Sequence, residues 1–317
     1  MGTTSSIAIN AITLLDANPE SLAETNVRVR LGNTRVTGKE QYYTPSKISS
    51  EIMENVKTLL DGNLGQALIE PAGGTGSFIE AAKQVGFSEI ISFDIEPRHP
   101  LVVKGSFLDQ ELTVKNAVTV SNPPFGRNNS LSIPFFNHAA KYSDVIVFIV
   151  PRSWRKWTVQ NKLDRNFHLV KDDDLDINYV DDRNMLLSKK SLLRTCVQYW
   201  IRSDETLRRI YKVQDKGVIS RCKFDEADAS FTLFGYGCGT VKTEFPRKPN
   251  TTQMFIKLHH PRALEALQNV DFSKFYLHTA YTEALSMHEI NYLINDYIFG
   301  DPYLVSDQES NLFNISS

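Results

Sequence analysis

Apolar residues make up 41% of this 317-residue chain. They nowhere run on for the roughly 18 positions that a membrane-crossing helix needs. Cysteine is scarce: Cys196, Cys222 and Cys238 are the only three, and no C-x-x-C pair is among them. That spacing points away from a thiolate zinc site and from a disulfide framework. No leader-like segment opens the sequence. The expectation is an intracellular protein, cytoplasmic or else nuclear or viral, with no membrane association and no metal. Met1-Gly2-Thr3-Thr4-Ser5-Ser6 matches a myristoylation pattern. No basic cluster follows to provide a second anchor, so the match reads as coincidental. Internal repeats and low-complexity tracts are also lacking. With 23% charged residues the composition is globular, and the length allows one large domain or two.

What is present centres on two short motifs. The first is Asn122-Pro123-Pro124-Phe125, which follows the strand-like apolar run Ala117 to Val120. Two prolines cannot continue a ladder, and they stiffen the backbone past the strand end. An amide side chain, a proline carbonyl and an aromatic ring are thereby offered together. An exocyclic amino group needs two acceptors and a planar base needs a ring to stack on. The second motif, Glu70-Pro71-Ala72-Gly73-Gly74-Thr75-Gly76-Ser77-Phe78, follows Ala67-Leu68-Ile69 and leads into a helix-like run ending near Gly86. Strand, glycine turn and helix is the context of a nucleotide-type loop, whose glycines admit close approach and whose helix N-terminus presents free N–H groups. It has neither the dinucleotide spacing nor a P-loop lysine. The next strand-like run, Ile90 to Phe93, ends at Asp94, where a carboxylate commonly grips ribose hydroxyls.

With these motifs in this order, the chain resembles the S-adenosylmethionine-dependent amino-methyltransferases that methylate adenine at N6, including bacterial, phage and large-virus DNA modification enzymes. The resemblance covers about residues 38–200 well and the rest faintly. It implies an α/β fold: a doubly wound, mostly parallel, Rossmann-like methyltransferase sheet with a C-terminal α+β extension. Gln41-Tyr42-Tyr43-Thr44-Pro45 looks like the family's N-terminal cofactor motif, with a helix expected over Ile48 to Leu60. The cofactor-binding residues it implies are Gln41, Tyr43, Thr44, Glu70, Pro71, Ala72, Gly74, Gly76, Asp94, Ile95, Ser106, Phe107 and Asn122. One position departs from the pattern. An Asp-Phe pair commonly receives the cofactor's adenine amino group, and here Ser106 stands in the Asp place before Phe107. A hydroxyl accepts a weaker bond than a carboxylate.

The resemblance also implies the chemistry. Asn122 and Pro123 would accept the two N–H bonds of adenine N6, Pro124 would hold the turn, and Phe125 would stack on the base. Net charge is only −2, but it is unevenly spread. Residues 1–150 carry 12 Lys/Arg against 15 Asp/Glu, residues 151–270 carry 22 against 15, and residues 271–317 carry 1 against 7. A basic middle suits a polyanion. The buried-strand run Asp144 to Val150 ends in Pro151-Arg152-Ser153-Trp154-Arg155-Lys156-Trp157. With Arg127, the residues Arg152, Trp154, Arg155 and Lys156 are expected to contact substrate, by stacking and by phosphate pairing. Thr195 to Trp200 reads as a late strand with Trp200 in the core.

Gly235, Gly237 and Gly239 suit a hairpin, and His259-His260 receives no role. The tail from Asp301 is expected to be loosely ordered. The expected division is an arm over 1–37, a catalytic domain over 38–204 and a recognition extension over 205–317. The substrate expected is nucleic acid, DNA over RNA. Rivals are an RNA adenine-N6 methyltransferase, a protein-glutamine methyltransferase, which usually has Tyr in place of Phe125, and a non-catalytic cofactor-binding subunit.

Overall fold

A computed structural model describes residues 43–177, 193–247 and 252–306. Gln41, Gly2 and the arm over 1–37 therefore lie outside the described residues. The chain divides into two compact units. One holds the described residues up to Pro151 together with Lys162–Arg208, and the other holds Arg152–Asn161 and residues from Arg209 onward.

The first unit is built on a seven-stranded sheet. Its strands are β1 (Leu68–Glu70), β2 (Ile90–Asp94), β3 (Val103–Lys104), β4 (Ala117–Ser121), β5 (Ser143–Pro151), β6 (Phe167–Leu175) and β7 (Thr195–Arg202). They lie in the order β3-β2-β1-β4-β5-β7-β6. Strands β1 to β5 pair in parallel, and β7 runs antiparallel between β5 and β6. The sheet is doubly wound and mostly parallel, as expected.

The apolar runs explain its centre. Every residue of β4 is buried, and β5 is buried from Val145 to Pro151, which is how a strand covered on both faces reads. Helix α1 (Ser46–Leu59) buries Ile52, Met53 and Val56 and packs against α2 (Ser77–Val85). Helix α2 stops at Gly86, whose left-handed backbone closes its C-terminus. Trp200 is fully buried, 5.4 Å from the Phe136 ring of α3 (Ser132–Ala139), so its expected core role stands. From β1 the chain winds outward to β3, then returns to place β4 on the other side of β1. That reversal leaves a crevice at the carboxyl ends of β1 and β4, where open α/β sheets bind ligands.

The second unit has its own core around Phe231, Ile256, Leu267, Ile290 and Ile294. Strands β8 (Tyr211–Val213), β9 (Ile219–Arg221), β10 (Ala229–Thr232), β11 (Val241–Lys242), β12 (Gln253–Leu258) and β13 (Leu304–Ser306) form two antiparallel sheets, β11-β10-β12-β9 and β13-β8. The three alternating glycines join β10 to β11 as a hairpin, with Thr232 N–H donating to Thr240 O at 2.9 Å. The tail differs from expectation: β13 pairs with β8, so Leu304–Ser306 is part of a sheet. Residues 307–317 lie outside the described ones. The helices are α4 (Trp157–Gln160), α5 (Ala263–Asn269), α6 (Ser273–Tyr276) and α7 (Met287–Phe299).

Segment Arg152–Asn161, which the linear reading keeps with the catalytic region, joins this unit for a packing reason. The Trp157 ring lies 5.7 Å from Phe275 and 5.3 Å from Tyr292. Two expected substrate contacts are corrected here. Trp154 is 0% exposed, so it has no face to offer a base. Lys156 Nζ is held 3.0 Å from Oε2 of Glu289, a residue that is itself 2% exposed and closes the capping box of α7. Arg152 and Arg155 are half-buried, and Arg127, in the first unit, is exposed.

Removing one partner of a buried pair strands the other charge, at about 3–5 kcal/mol. Lys156→Met is therefore expected to lower the stability of the protein by roughly 3 kcal/mol in denaturant unfolding. A loss below about 0.5 kcal/mol, the size of an exposed pair, would contradict the structural role of this lysine.

Candidate active site

The site is built from three strand ends. The chain leaves β1 through Pro71 to Gly76 and enters α2. Gly76, at the N-cap, has φ 81°, and a β-carbon there would collide with the His99 ring. The turn is tied to β2. Gly73 N–H donates to Phe93 O at 2.8 Å, and Gly74 N–H donates to Asp94 Oδ2 at 2.8 Å. The other oxygen of Asp94 accepts from Glu96 N–H at 2.8 Å. Each oxygen of that carboxylate retains acceptor capacity toward a ligand.

Asn122 follows the last residue of β4. Its Nδ2 donates to Thr44 Oγ1 at 3.2 Å, which orients the amide. Thr44 is itself buried, at 7% exposure. Beyond the two prolines, the Phe125 carbonyl accepts from Leu131 N–H at 3.2 Å and Ser132 N–H at 3.3 Å, folding the motif onto the start of α3.

Between these turns lies a cavity of about 300 Å³. Of the expected residues, Tyr43, Pro71, Ala72, Gly74, Asp94, Ile95, Ser106, Phe107, Asn122, Pro123 and Pro124 line it. The glycine turn, the acid after β2 and the Asn-Pro-Pro turn thus share one space, although 20 to 50 residues separate them in sequence. Tyr43 lies against the turn, with Cε1 3.3 Å from where a β-carbon on Gly74 would sit.

Four of the described residues expected to be cofactor-binding or catalytic do not line this space: Thr44, Glu70, Gly76 and Phe125. Phe125 is only 5% exposed, so the ring expected to stack on a base is an anchor of the motif. Glu96, Gly105, Leu108, Leu131 and Phe135 line the cavity without having been expected. For Leu131 and Phe135 the signal was their spacing of four on one helical face just after the motif. Glu96 carried none.

Glu70 is corrected most clearly. It is 1% exposed, and it clamps the protein rather than a ligand. Its Oε1 accepts from Ser121 Oγ at 2.6 Å and from Ala72 N–H at 3.0 Å. Its main-chain carbonyl accepts from Ser92 Oγ at 2.9 Å. Burial pushes its carboxyl from 4.5 up to about 8. The bonds from Ser121 and Ala72 offset part of that rise, and the nearby Asp94 charge adds to it. Ser121, the residue before Asn122, is thus a positioning residue that sequence reasoning left without a role.

The class that this sheet and cavity define is the doubly wound α/β protein with a cavity at its switch point. No family model matches the chain. Within that class it is similar to the type II methyltransferases M.HincII and M.HindII of Haemophilus influenzae, at 27% identity to each over 95 residues. That stretch is 29% of this chain and only 18% of the length of either relative. Among solved structures, the M protein of the type I restriction enzyme EcoKI is similar at 14% identity and TM-score 0.39, covering 54% of this chain and 47% of that one. Magnesium protoporphyrin IX methyltransferase from Synechocystis, solved with bound SAM, is similar at 11% identity and TM-score 0.33, covering 52% and 87%.

Glu70 sets a pH dependence with a definite sign. The folded protein holds this proton up to about pH 8, whereas the unfolded chain releases it near 4.5. Between those values the native state binds more protons, so this group's contribution to stability falls as pH rises and is level outside the window. Glu70→Gln keeps the acceptor and abolishes the titration. The variant is expected to gain on the wild type from about pH 5 to pH 8, by roughly a few kcal/mol at the upper end. Parallel stability profiles for the two proteins would contradict the assignment.

Proposed function

We propose that the chain is an S-adenosylmethionine-dependent methyltransferase acting on the N6 amino group of adenine in nucleic acid, DNA in preference to RNA. The observation that carries this reading is the shared cavity, in which the glycine turn and Asp94 face the same space as Asn122 and Pro123.

The residues present fit that cofactor. Asp94 offers a carboxylate that keeps acceptor capacity for ribose hydroxyls, and Gly74, with Tyr43 packed against it, lines the same cavity. Ile95 and Leu108 give a purine an apolar surface beside the hydroxyl of Ser106. The cofactor supplies an electrophilic methyl group on a sulfonium sulfur.

The chain's part is mostly positioning. Adenine's exocyclic nitrogen is a poor nucleophile because its lone pair is delocalised into the ring. Asn122 through Oδ1 and Pro123 through its carbonyl accept the two N–H bonds. They draw the nitrogen toward tetrahedral geometry and localise the lone pair along the line of attack. As the new N–C bond formed, the methyl–sulfur bond would break with its electron pair staying on sulfur as a neutral thioether. One N–H proton, then acidic, would pass to water. Holding reactants in near-attack geometry is worth about 7–11 kcal/mol at best. The hydrogen bond from Asn122 to Thr44 keeps the amide pre-set for this task. A target in duplex must first be flipped out, at a cost of about a few kcal/mol.

The preference for DNA rests on the order of the motifs, which resembles DNA modification enzymes, and on the similarity to type II methyltransferases. The protein incubated with tritiated S-adenosylmethionine and matched DNA and RNA pools is expected to place label in N6-methyldeoxyadenosine. Label in N6-methyladenosine from the RNA pool would move the reading to RNA. Cofactor binding with no label in either pool would overturn a nucleic-acid substrate. Asn122→Ala is expected to lower transfer by about 100-fold or more, as losing one pre-set polar group does elsewhere, while cofactor affinity stays within about threefold. Equal loss of both would contradict the role of Asn122.

A further inference from the structure

We propose that the second unit carries a phosphate-binding site of its own, formed by β8, the turn that follows it and the first turn of α7. For the source of the phosphate, though not for the site, this rests on the nucleic-acid reading above. A cavity of about 760 Å³ opens there, and its polar lining is Lys212, Gln214, Asp215, Lys216, His288 and Asn291.

Three features point to an anionic ligand. Helix α7 runs Met287–Phe299, long enough for a positive N-terminal end. Its capping box employs the N–H of Glu289, and the N–H groups of Met287 and His288 make no hydrogen bond among the described residues. Two lysines flank that end, and Lys216 Nζ is steadied 4.0 Å from the centroid of the Tyr303 ring. The lining holds one acid, Asp215, whose Oδ1 accepts from Gly217 N–H at 2.8 Å, and the two lysines outweigh its charge.

The fourth feature narrows the class. Asn291 lies three residues beyond His288, on the same helical face, and it is only 8% exposed. Its side chain makes no hydrogen bond among the described residues and faces the cavity. Its amide atoms are open to the cavity, and a ligand with one donor and one acceptor matches them. Phosphate for the lysines and the helix end, with a base edge for the amide, is the chemistry of a nucleotide. That nucleotide could be one unit of a polynucleotide or a free one, and a polynucleotide is the source proposed.

The test uses the full chain. Binding of a fluorescein-labelled DNA duplex is followed by anisotropy between about 50 and 200 mM salt, with AMP and a matched RNA as further probes. Lys212→Ala/Lys216→Ala is expected to weaken duplex binding about tenfold, and to flatten the dependence of log affinity on log salt by about 2. Asn291→Leu, close in volume, is expected to weaken binding about five- to tenfold with the slope unchanged. Binding of tritiated S-adenosylmethionine should be unaltered in both variants, which controls for folding.

Wild-type affinity and slope in the double variant would overturn the site, as would failure of the variants to change binding of any of the three probes. Lysine-dependent binding of AMP without the polynucleotides would keep the site and reassign its source to a free nucleotide. A wild-type protein that binds duplex here but transfers no methyl group would sink the proposed function and leave this site standing.

Discussion

One carboxyl oxygen holds the candidate active site together. Glu70 Oε1 accepts from the main chain of the glycine turn at Ala72 and from the side chain of Ser121, one residue before Asn122. The two turns leave adjacent strands at the point where the sheet reverses its winding, so a single buried side chain sets their spacing. The cavity between them exists only while that spacing is kept. Tyr43, Thr44 and Asp94 then add constraints from two further directions.

Such a clamp works against the solvation of its own charge. A carboxyl group at 1% exposure is hard to ionise, and burial raises Glu70 to about 8. In its protonated form the group keeps an acceptor for Ser121 and Ala72 without a bare charge in the core. At the end of the neighbouring strand β2, Asp94 receives two backbone N–H bonds and faces the cavity. Two acids in one site thus differ in setting: the buried one shapes the protein and the other faces the cavity.

The second unit shows how aromatic and basic residues that read as a binding surface serve packing instead. Trp154 and Trp157 flank Arg155 and Lys156 in sequence, a pattern suited to stacking and phosphate contact. In the fold Trp154 is enclosed, Trp157 packs on Phe275 and Tyr292, and Lys156 neutralises Glu289. A tryptophan buries so much apolar area that core packing competes strongly for it. Elsewhere in that unit, two lysines and a histidine with no special sequence neighbourhood meet around a buried amide.

The sequence by itself determined five strands of the large sheet, the sheet class and the two turns of the site. Apolar runs such as Ala117 to Val120 and Asp144 to Val150 have one stable arrangement, buried on both faces. Glycine and proline restrict the backbone locally whatever surrounds them. The placement of Asn122, Asp94 and Gly74 around one cavity was legible for that reason, because each sits at a strand end. Tertiary structure alone decided which side chains of those motifs face the cavity. Whether Phe125 is a platform or an anchor, and whether Glu70 grips a ligand or Ser121, depends on contacts between segments about 50 residues apart. Burial of that kind is a property of neighbours brought in by the fold, and no local pattern encodes it.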